Sequence, residues 1–174
     1  MSLLLLVHLL TLAVMMGLAI AAALGDVKTY RIPNTISLAL LGLYPIYALS
    51  APHAVAPLAA LGVMATVLAL GFAAFSLRLV GGGDVKLLTA LSLYAGPGLV
   101  MELMLVTAIA GGAIALALMS HQTRHALASA LDQVGSRNLR NAVLTDAIPY
   151  GLAIAAGAIF LALRLAAQAA DATP

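Results

Sequence analysis

The sequence has no cysteine and little charge along its 174 residues. The absence of cysteine excludes disulfide bonds, thiol catalysis and cysteine-ligated metal. Only 8% of the residues are charged and 64% are hydrophobic, whereas a soluble domain has roughly 25% charged and 45–50% apolar residues. The composition therefore indicates a polytopic membrane protein that contacts lipid. The formal net charge of +2 is too small to indicate a nucleic-acid partner, so the basic residues are interpreted as signals of membrane topology.

The four histidines do not form a recognisable metal-binding pattern. His121 and His125 have the i, i+4 spacing that places two side chains on one helix face. No third ligand is evident near them, and His8 and His53 are distant in the sequence, so a solvated helix face is the favoured interpretation. We predict no metal and no other cofactor.

Long apolar runs predict the transmembrane helices. The first run, residues 3–24, is long enough to cross a hydrocarbon core of ~30 Å at ~1.5 Å per residue. Met1 and Ser2 supply no positive charge before it, so we predict a retained helix instead of a cleaved signal peptide. Further transmembrane helices are predicted at residues 35–49, 57–75, 85–95, 99–119 and 148–167.

Prolines, glycines and one polar segment divide these runs. Pro45 predicts a kink in the second helix, and the Gly-Pro-Gly segment at 96–98 separates the fourth helix from the fifth. Asn34 is predicted to be the N-cap of the second helix. Apolar residues at helical spacing within 126–134 predict a short helix on the membrane surface. The predicted fold class is all-α: a polytopic membrane protein whose single domain, residues 1–174, has six transmembrane helices and a short cytoplasmic interfacial helix between helices five and six.

The basic residues predict the orientation of these helices. Seven of the eight Lys and Arg residues lie in the first, third and fifth connections, and the second and fourth connections have none. Cytoplasmic loops are enriched in Lys and Arg, so both termini are predicted to lie outside. Asp26 and Asp84 then lie on the cytoplasmic side. The seven basic residues are Lys28, Arg31, Arg78, Lys86, Arg124, Arg137 and Arg140.

Asp84 is the most informative residue because it follows three glycines in an otherwise apolar region. A charged side chain within lipid costs at least ~2.5–3.5 kcal/mol, so an ionisable group there is a functional hypothesis. Asp84 lies 12 residues before Gly96. The predicted distance between the two residues along the helix axis is therefore roughly 18 Å. Asp26 follows a helix of spanning length and is expected near the inner interface, so the two carboxylates can converge on one pocket. The alternative is a flexible cytoplasmic turn with a helix-capping aspartate.

Two carboxylates in one pocket, without another nucleophile, suit the chemistry of an aspartyl dyad. Such a pair shares one proton because two adjacent charges cannot both ionise cheaply. The ionised member takes a proton from water, the protonated member polarises the scissile carbonyl, and the titration belongs to the pair. Lys28, Arg31 and Lys86 could favour the ionised form or bind an acidic substrate group. The alternative is that they are positive-inside anchors.

Two segments resemble a known family. Residues 81–88, Gly-Gly-Gly-Asp-Val-Lys-Leu-Leu, resemble the G-x-G-D-V-K-L-L signature of type IV prepilin peptidases. Residues 26–34, an aspartate that leads into Arg-Ile-Pro-Asn, resemble the first-aspartate segment of that family, and Pro-Tyr-Gly at 149–151 is similar to a third family feature. Presenilin-like proteases share G-x-G-D alone, but both segments in this order and on one predicted side make the resemblance specific. It extends over nearly the full length.

The resemblance implies an integral-membrane aspartyl endopeptidase of a bacterial-type inner membrane. Its substrates would be prepilins or pseudopilins, whose short leader it would remove at the cytoplasmic membrane face. Asp26 and Asp84 would be the catalytic pair. Besides its substrates the predicted partner is membrane lipid, and the oligomeric state does not follow from the resemblance. The matching motif and supporting residues are Lys28, Arg31, Pro33, Asn34, Gly81, Gly83, Lys86, Pro149, Tyr150 and Gly151.

The chain departs from the long form of this family. It has no cysteine-rich cytoplasmic insertion and too few polar residues before Asp26 for a methyltransferase region, so the resemblance does not extend to N-methylation. The chain resembles the short form associated with tight-adherence (Flp-type) pili. The alternatives are a small polytopic transporter, which would be expected to show inverted repeats, and a non-catalytic subunit of pilus assembly, which would not need two aspartates on one side.

Three acidic or histidine side chains outside the motifs also carry hypotheses. His8 and Glu102 are predicted within roughly 8 Å of the outer surface by helical rise. A carboxylate at that depth benefits from a donor, so one hypothesis pairs the two side chains, and the alternative is that each reaches separately to the headgroups. Asp146 could be a third pocket carboxylate or an ordinary loop residue.

The residues Gly-Asp-Val-Lys at 25–28 recur at 83–86. One hypothesis is that a symmetry axis along the membrane normal relates helices one and two to helices three and four. Each helix pair would then place one aspartate at the interface between the two pairs. The copies would differ because the first continues through a polar segment before its helix begins. We therefore expect Asp26 on a looser segment than Asp84, which opens a helix, and we expect the first loop to move when substrate enters.

Overall fold

The computed structural model describes residues 3–29, 31–119, 129 and 150–172, and all regular secondary structure within them is helical. The predicted all-α class is confirmed. Four of the helices are long and apolar enough to cross a membrane, and α2 is a shorter apolar helix. The helices are α1 (Leu3–Thr29), α2 (Asn34–Ser50), α3 (Pro57–Ser76), α4 (Gly82–Met119) and α5 (Tyr150–Asp171).

α4 contains the predicted break. Gly96 has φ 54° and ψ −167°, a left-handed conformation that glycine adopts without the steric penalty of a Cβ, and Pro97 follows it. The second part of α4 returns toward the end at which the helix began, because Gly111 packs on Tyr150 and Tyr150 shares a cavity with Asp84. The predicted separation at 96–98 is therefore confirmed, whereas the count of six transmembrane helices stays a prediction.

The start of α2 differs from the prediction. Pro33 occupies the N-cap position in an extended conformation and no side chain caps the helix. Asn34 is instead the first residue of α2, so its prediction as the N-cap is wrong. Pro45 lies inside α2, and the helix continues beyond it to Ser50.

α3 ends in a turn that leads the chain to the glycine motif. Leu79 N donates to Ala74 O at 3.0 Å, and Arg78 N donates to Phe75 O at 2.9 Å. These two bonds form a Schellman motif. Arg78 takes its left-handed position with φ 60°, where glycine is the usual residue.

The core lies where α1, α5 and the first part of α4 meet. Ala19 on α1 and Ala158 on α5 are fully buried, as is Leu91 on α4. Small residues allow transmembrane helices to approach closely, so that packing replaces the hydrophobic effect as the source of their association. α3 is peripheral, because Ala60 is its one buried residue.

Glu102 does not pair with His8. Its carboxylate accepts two hydrogen bonds from Arg164 on α5, from Nε at 3.1 Å and from Nη2 at 3.3 Å. His8 is fully buried beside Tyr47 and His53, with ring-centroid distances of 5.2 and 5.9 Å. The hypothesis of a His8–Glu102 pair is therefore wrong, and His8 does not reach outward either. Helix length predicts depth, but the rotation of each helix about its axis decides which side chains meet.

Several predictions fall on residues that the structure does not describe. The predicted interfacial helix at 126–134 lies outside the described residues apart from Ser129. Asp146 and Pro149 also lie outside them, as do His121 and His125.

Candidate active site

Asp26 lies inside α1, near its C-terminal end. The predicted helix end at residue 24 is wrong, because α1 continues to Thr29. Two features stabilise the extra turn: Val27 is buried, and Thr29 Oγ1 donates to Gly25 O at 2.9 Å. The expectation that Asp26 lies on a loose segment is therefore wrong. Its side chain is buried, with 8% exposure, and movement of the first loop stays a prediction only for residues after Thr29.

Gly151 supplies the partner of Asp26. The Gly151 N–H donates to Asp26 Oδ2 at 2.9 Å. Gly151 lies in the first turn of α5, where backbone N–H groups lack an acceptor in their own helix and the helix dipole is positive. A Cβ on Gly151 would lie 2.8 Å from Asp26 Cβ. The approach of the two backbones, and hence this hydrogen bond, requires glycine at position 151.

Asp84 lies in the first turn of α4 and is half-buried. Its Oδ2 lies against Gly81, where a Cβ would come within 2.7 Å of that oxygen. Its Oδ1 is buried and has no hydrogen-bond partner among the residues that the structure describes. A buried polar atom without a partner destabilises the fold by roughly 1–3 kcal/mol. Such an atom is typical of a site that is completed by water or a ligand.

Two contacts join the segment after Asp26 to the segment around Asp84. Lys86 Nζ donates to Asn34 Oδ1 at 3.0 Å. A Cβ on Gly83 would lie 3.1 Å from Ile32 Cβ, which is closer than most side chains tolerate. The glycine at position 83 therefore lets the two segments pack together, and the Lys86–Asn34 hydrogen bond fixes them side by side.

Both aspartates line one cavity of about 240 Å³. The cavity has room for several water molecules, each of which takes about 30 Å³ in the liquid. The other lining residues are Arg31, Ile32, Asn34, Gly81, Gly82 and Gly83.

Asp84 also faces two larger spaces that Asp26 does not line. One is a cavity of about 830 Å³ beside Arg78 and Tyr150. The other is an apolar groove of about 750 Å³ between α3 and α4. Asp84 therefore lines all three spaces, whereas Asp26 lines the smallest of them and not the other two.

The structure brings most of the predicted supporting residues to these aspartates. Gly81, Gly83 and Gly151 allow close approach, and Asn34 and Lys86 bond to each other. Arg31 lines the smallest cavity, Tyr150 lines the two larger spaces, and Pro33 occupies the N-cap position of α2. Lys28 is exposed at the end of α1 and does not line these spaces.

Two residues of the site were missed. Ile32 was missed because an apolar residue in a polar segment gives no sign of what it packs on, and Arg78 because no local pattern predicts its left-handed conformation. Within the described ranges, no three His, Asp or Glu side chains form a cluster that could hold a metal ion.

The geometry defines a helical membrane protein in which two segments, distant in the sequence, each contribute one carboxylate to the same cavity. Residues 13–116, which include both aspartates, match the model of the type IV leader peptidase family. The match covers more than half of the chain, and the chain belongs to this family. No curated protein and no solved structure matches it significantly. The family implies a protease, and with the four apolar helices it indicates a multi-pass protein of the inner membrane.

Proposed function

We propose that the protein is an aspartyl endopeptidase that removes the leader of type IV prepilins or pseudopilins, with Asp26 and Asp84 as its catalytic pair. The observation that carries the proposal is the shared cavity of the two carboxylates. Neither aspartate is ion-paired to a basic side chain among the described residues, so both remain available for proton transfer. The family membership supplies the substrate class.

The environments of the two aspartates suggest different roles. The Gly151 N–H donates to Asp26 Oδ2 and orients this carboxylate, so we assign Asp26 the role of the base that accepts a proton from water. The shared proton is then held by Asp84, whose Oδ1 has no competing partner in the described structure. The titration still belongs to the pair.

Peptide cleavage follows from these roles. Asp26 removes a proton from a water molecule, and the water oxygen attacks the scissile carbonyl carbon. Asp84 donates its proton to the carbonyl oxygen, which forms a neutral tetrahedral intermediate. Asp26 then passes its proton to the amide nitrogen, the C–N bond breaks, and Asp84 takes a proton from one hydroxyl of the intermediate as the carbonyl re-forms. The dyad is thereby returned to its single-proton state. Both carboxylates must reach the same peptide bond, as the shared cavity allows.

The proposed topology places this chemistry at the cytoplasmic face of the inner membrane. Arg31 lines the cavity of the two aspartates, and Arg78 and Lys86 lie at the same end of the helices. Basic residues prefer the cytoplasmic side, which supports external termini. Counting the two parts of α4 separately gives the proposed six transmembrane helices. The absence of cysteine supports the short form, with Flp-type prepilins as substrates.

Co-expression with candidate prepilins tests the proposal. We expect Asp26→Asn and Asp84→Asn each to abolish leader cleavage, measured as the size shift of the prepilin, while protein level and membrane insertion stay unchanged. Asp171→Asn is the matched control, because Asp171 lies exposed at the far end of α5. Cleavage near the wild-type rate in either dyad variant would contradict the aspartyl mechanism and favour a non-catalytic role in pilus assembly.

A further inference from the structure

The apolar groove that ends at Asp84 is bounded on one side by α3. The groove-facing residues of α3 recur at helical spacing and include the small residues Ala59, Gly62, Thr66 and Ala74, beside the larger Val63, Val67 and Leu70. Phe72, a large residue of α3, is exposed and does not line the groove. Small residues in a row are the feature that lets a second transmembrane helix lie close against the first.

The opposite wall of the groove is adaptable. It includes Val85 and Leu88 of the first part of α4 and Ile154 of α5, and its second α4 part contributes Met101 and Met104. Met101 is 75% exposed, so this wall is reached from the lipid side without opening the bundle. Methionine is flexible and polarisable, and it packs against apolar surfaces of varied shape. The α3 wall thus contains several small residues, and the opposite wall contains flexible methionines.

The dimensions of the groove match a transmembrane helix. From Ala59 to Ala74 the groove follows α3 over 16 residues, or roughly 22 Å at helical rise. The hydrocarbon core of a membrane is about 30 Å thick. At one end the apolar lining gives way to Asp84 and Tyr150, so an occupant must be apolar along most of its length and polar at this end.

We propose that this groove binds an apolar helix of the substrate, which enters sideways from the lipid and presents the adjoining scissile peptide to Asp84. This inference rests on the proposed endopeptidase function. The substrate class is then a membrane-inserted helix with its cleavage site at the membrane surface. A lipid chain fits the apolar part of the groove, but it offers no peptide to the carboxylate.

Gly62 provides the first test, because a Cβ built on it meets no atom within 4 Å. Gly62→Leu therefore fills the groove without disturbing the protein itself. We expect roughly a tenfold or larger fall in kcat/KM for membrane-inserted prepilin, and unchanged cleavage of a short peptide that spans the junction but lacks the apolar helix. Gly42→Leu is the matched control, because Gly42 has equally open surroundings on α2 and lies outside the groove.

Each result decides the proposal. Unchanged cleavage of both substrates by Gly62→Leu would mean that lipid alone occupies the groove. An equal loss for both would mean that the groove holds α3 in place for catalysis, and it would also overturn the proposal. The catalytic role of the two aspartates is tested by a different variant. If that role is wrong, Asp84→Asn will still cleave both substrates.

Crosslinking gives a second, independent readout, and it decides alone if the short peptide is not cleaved by the wild type. The chain has no cysteine, so Thr66→Cys introduces a unique thiol in the groove. We expect it to form disulfides with cysteines placed along the apolar helix of an uncleavable prepilin. Gly42→Cys should form none. Crosslinks of Thr66→Cys only to a second copy of the enzyme, or equal crosslinking from both positions, would overturn the proposal.

Discussion

The two Gly-Asp-Val-Lys segments have the same sequence and opposite structural settings. Asp26 lies in the last turns of a helix, whereas Asp84 lies in the first turn of one. The C-terminal end of a helix is negative and disfavours a carboxylate, and the N-terminal end is positive and favours it. Asp26 accepts a hydrogen bond from the N–H of Gly151 at the start of α5. This bond offsets the unfavourable interaction with the C-terminal end of α1. Both carboxylates thus reach a helix N-terminus, one within its own helix and the other across the bundle.

The two copies were predicted to differ, and they do: the first lies within the last turns of α1, and the second lies in the first turn of α4. The symmetry of the two helix pairs stays a prediction. The prediction that Asp26 is the looser aspartate is reversed, because Asp26 is the more enclosed of the two. The four identical residues therefore do not specify one conformation. The structure that surrounds each copy determines its conformation.

The largest expected effects come from the glycine beside each carboxylate. Gly151→Ala would bring a Cβ to 2.8 Å from Asp26 Cβ, and Gly81→Ala would bring one to 2.7 Å from Asp84 Oδ2. A displacement of about 1 Å at a reacting group costs on the order of 100-fold in rate. We expect such a loss of prepilin cleavage for both variants. Gly112→Ala, at a glycine with open surroundings, should cleave normally.

The two glycines should differ in a way that sharpens the comparison. Gly151 opposes a Cβ fixed to the α1 backbone, whereas Gly81 opposes the end of a side chain, which can rotate. Gly151→Ala should therefore also lower the thermal unfolding temperature in detergent, and Gly81→Ala should leave it nearly unchanged. Equal destabilisation by both substitutions would mean that the two aspartates are held equally rigidly.

A smaller effect is expected where the two segments are joined. Lys86→Ala removes the hydrogen bond to Asn34 and should reduce cleavage a few-fold, because an exposed bond of this kind contributes about 1 kcal/mol. Asn34→Asp keeps an acceptor for Lys86 and should retain activity. In a double-mutant cycle, Lys86→Ala and Asn34→Ala should be non-additive. Additive losses would show that the bond does not couple the segments.

The smallest effect concerns the turn that precedes only the second copy. Arg78 has φ 60°, a conformation that costs a residue with a Cβ roughly 1–2 kcal/mol. Arg78→Gly should therefore stabilise the protein by about 1 kcal/mol, measured as resistance to thermal unfolding in detergent. Arg78→Ala retains the strain and should give no such gain. Equal stabilities of these two variants would mean that the surrounding structure relieves the strain.

The sequence was most informative where chemistry and backbone constraint coincide. Asp84 was identifiable because charge is costly among apolar residues, and Gly83 because it belongs to a recognisable signature. The end of α1 was mispredicted because Gly25 and the polar residues after it are typical of a helix terminus. Burial of Val27 and the contact with Gly151 override that local preference. Similarly, the partner of Glu102 depends on how α4 and α5 are rotated toward each other, which no single segment encodes.

The bond between Gly151 and Asp26 has a consequence for biogenesis. Both aspartates are synthesised well before α5. The amide that orients Asp26 arrives 125 positions later in the chain. A nascent polypeptide that has inserted only its earlier helices therefore holds both acidic groups without the means to align them. We therefore expect the proposed catalytic pair to align only after α5 has entered the bilayer.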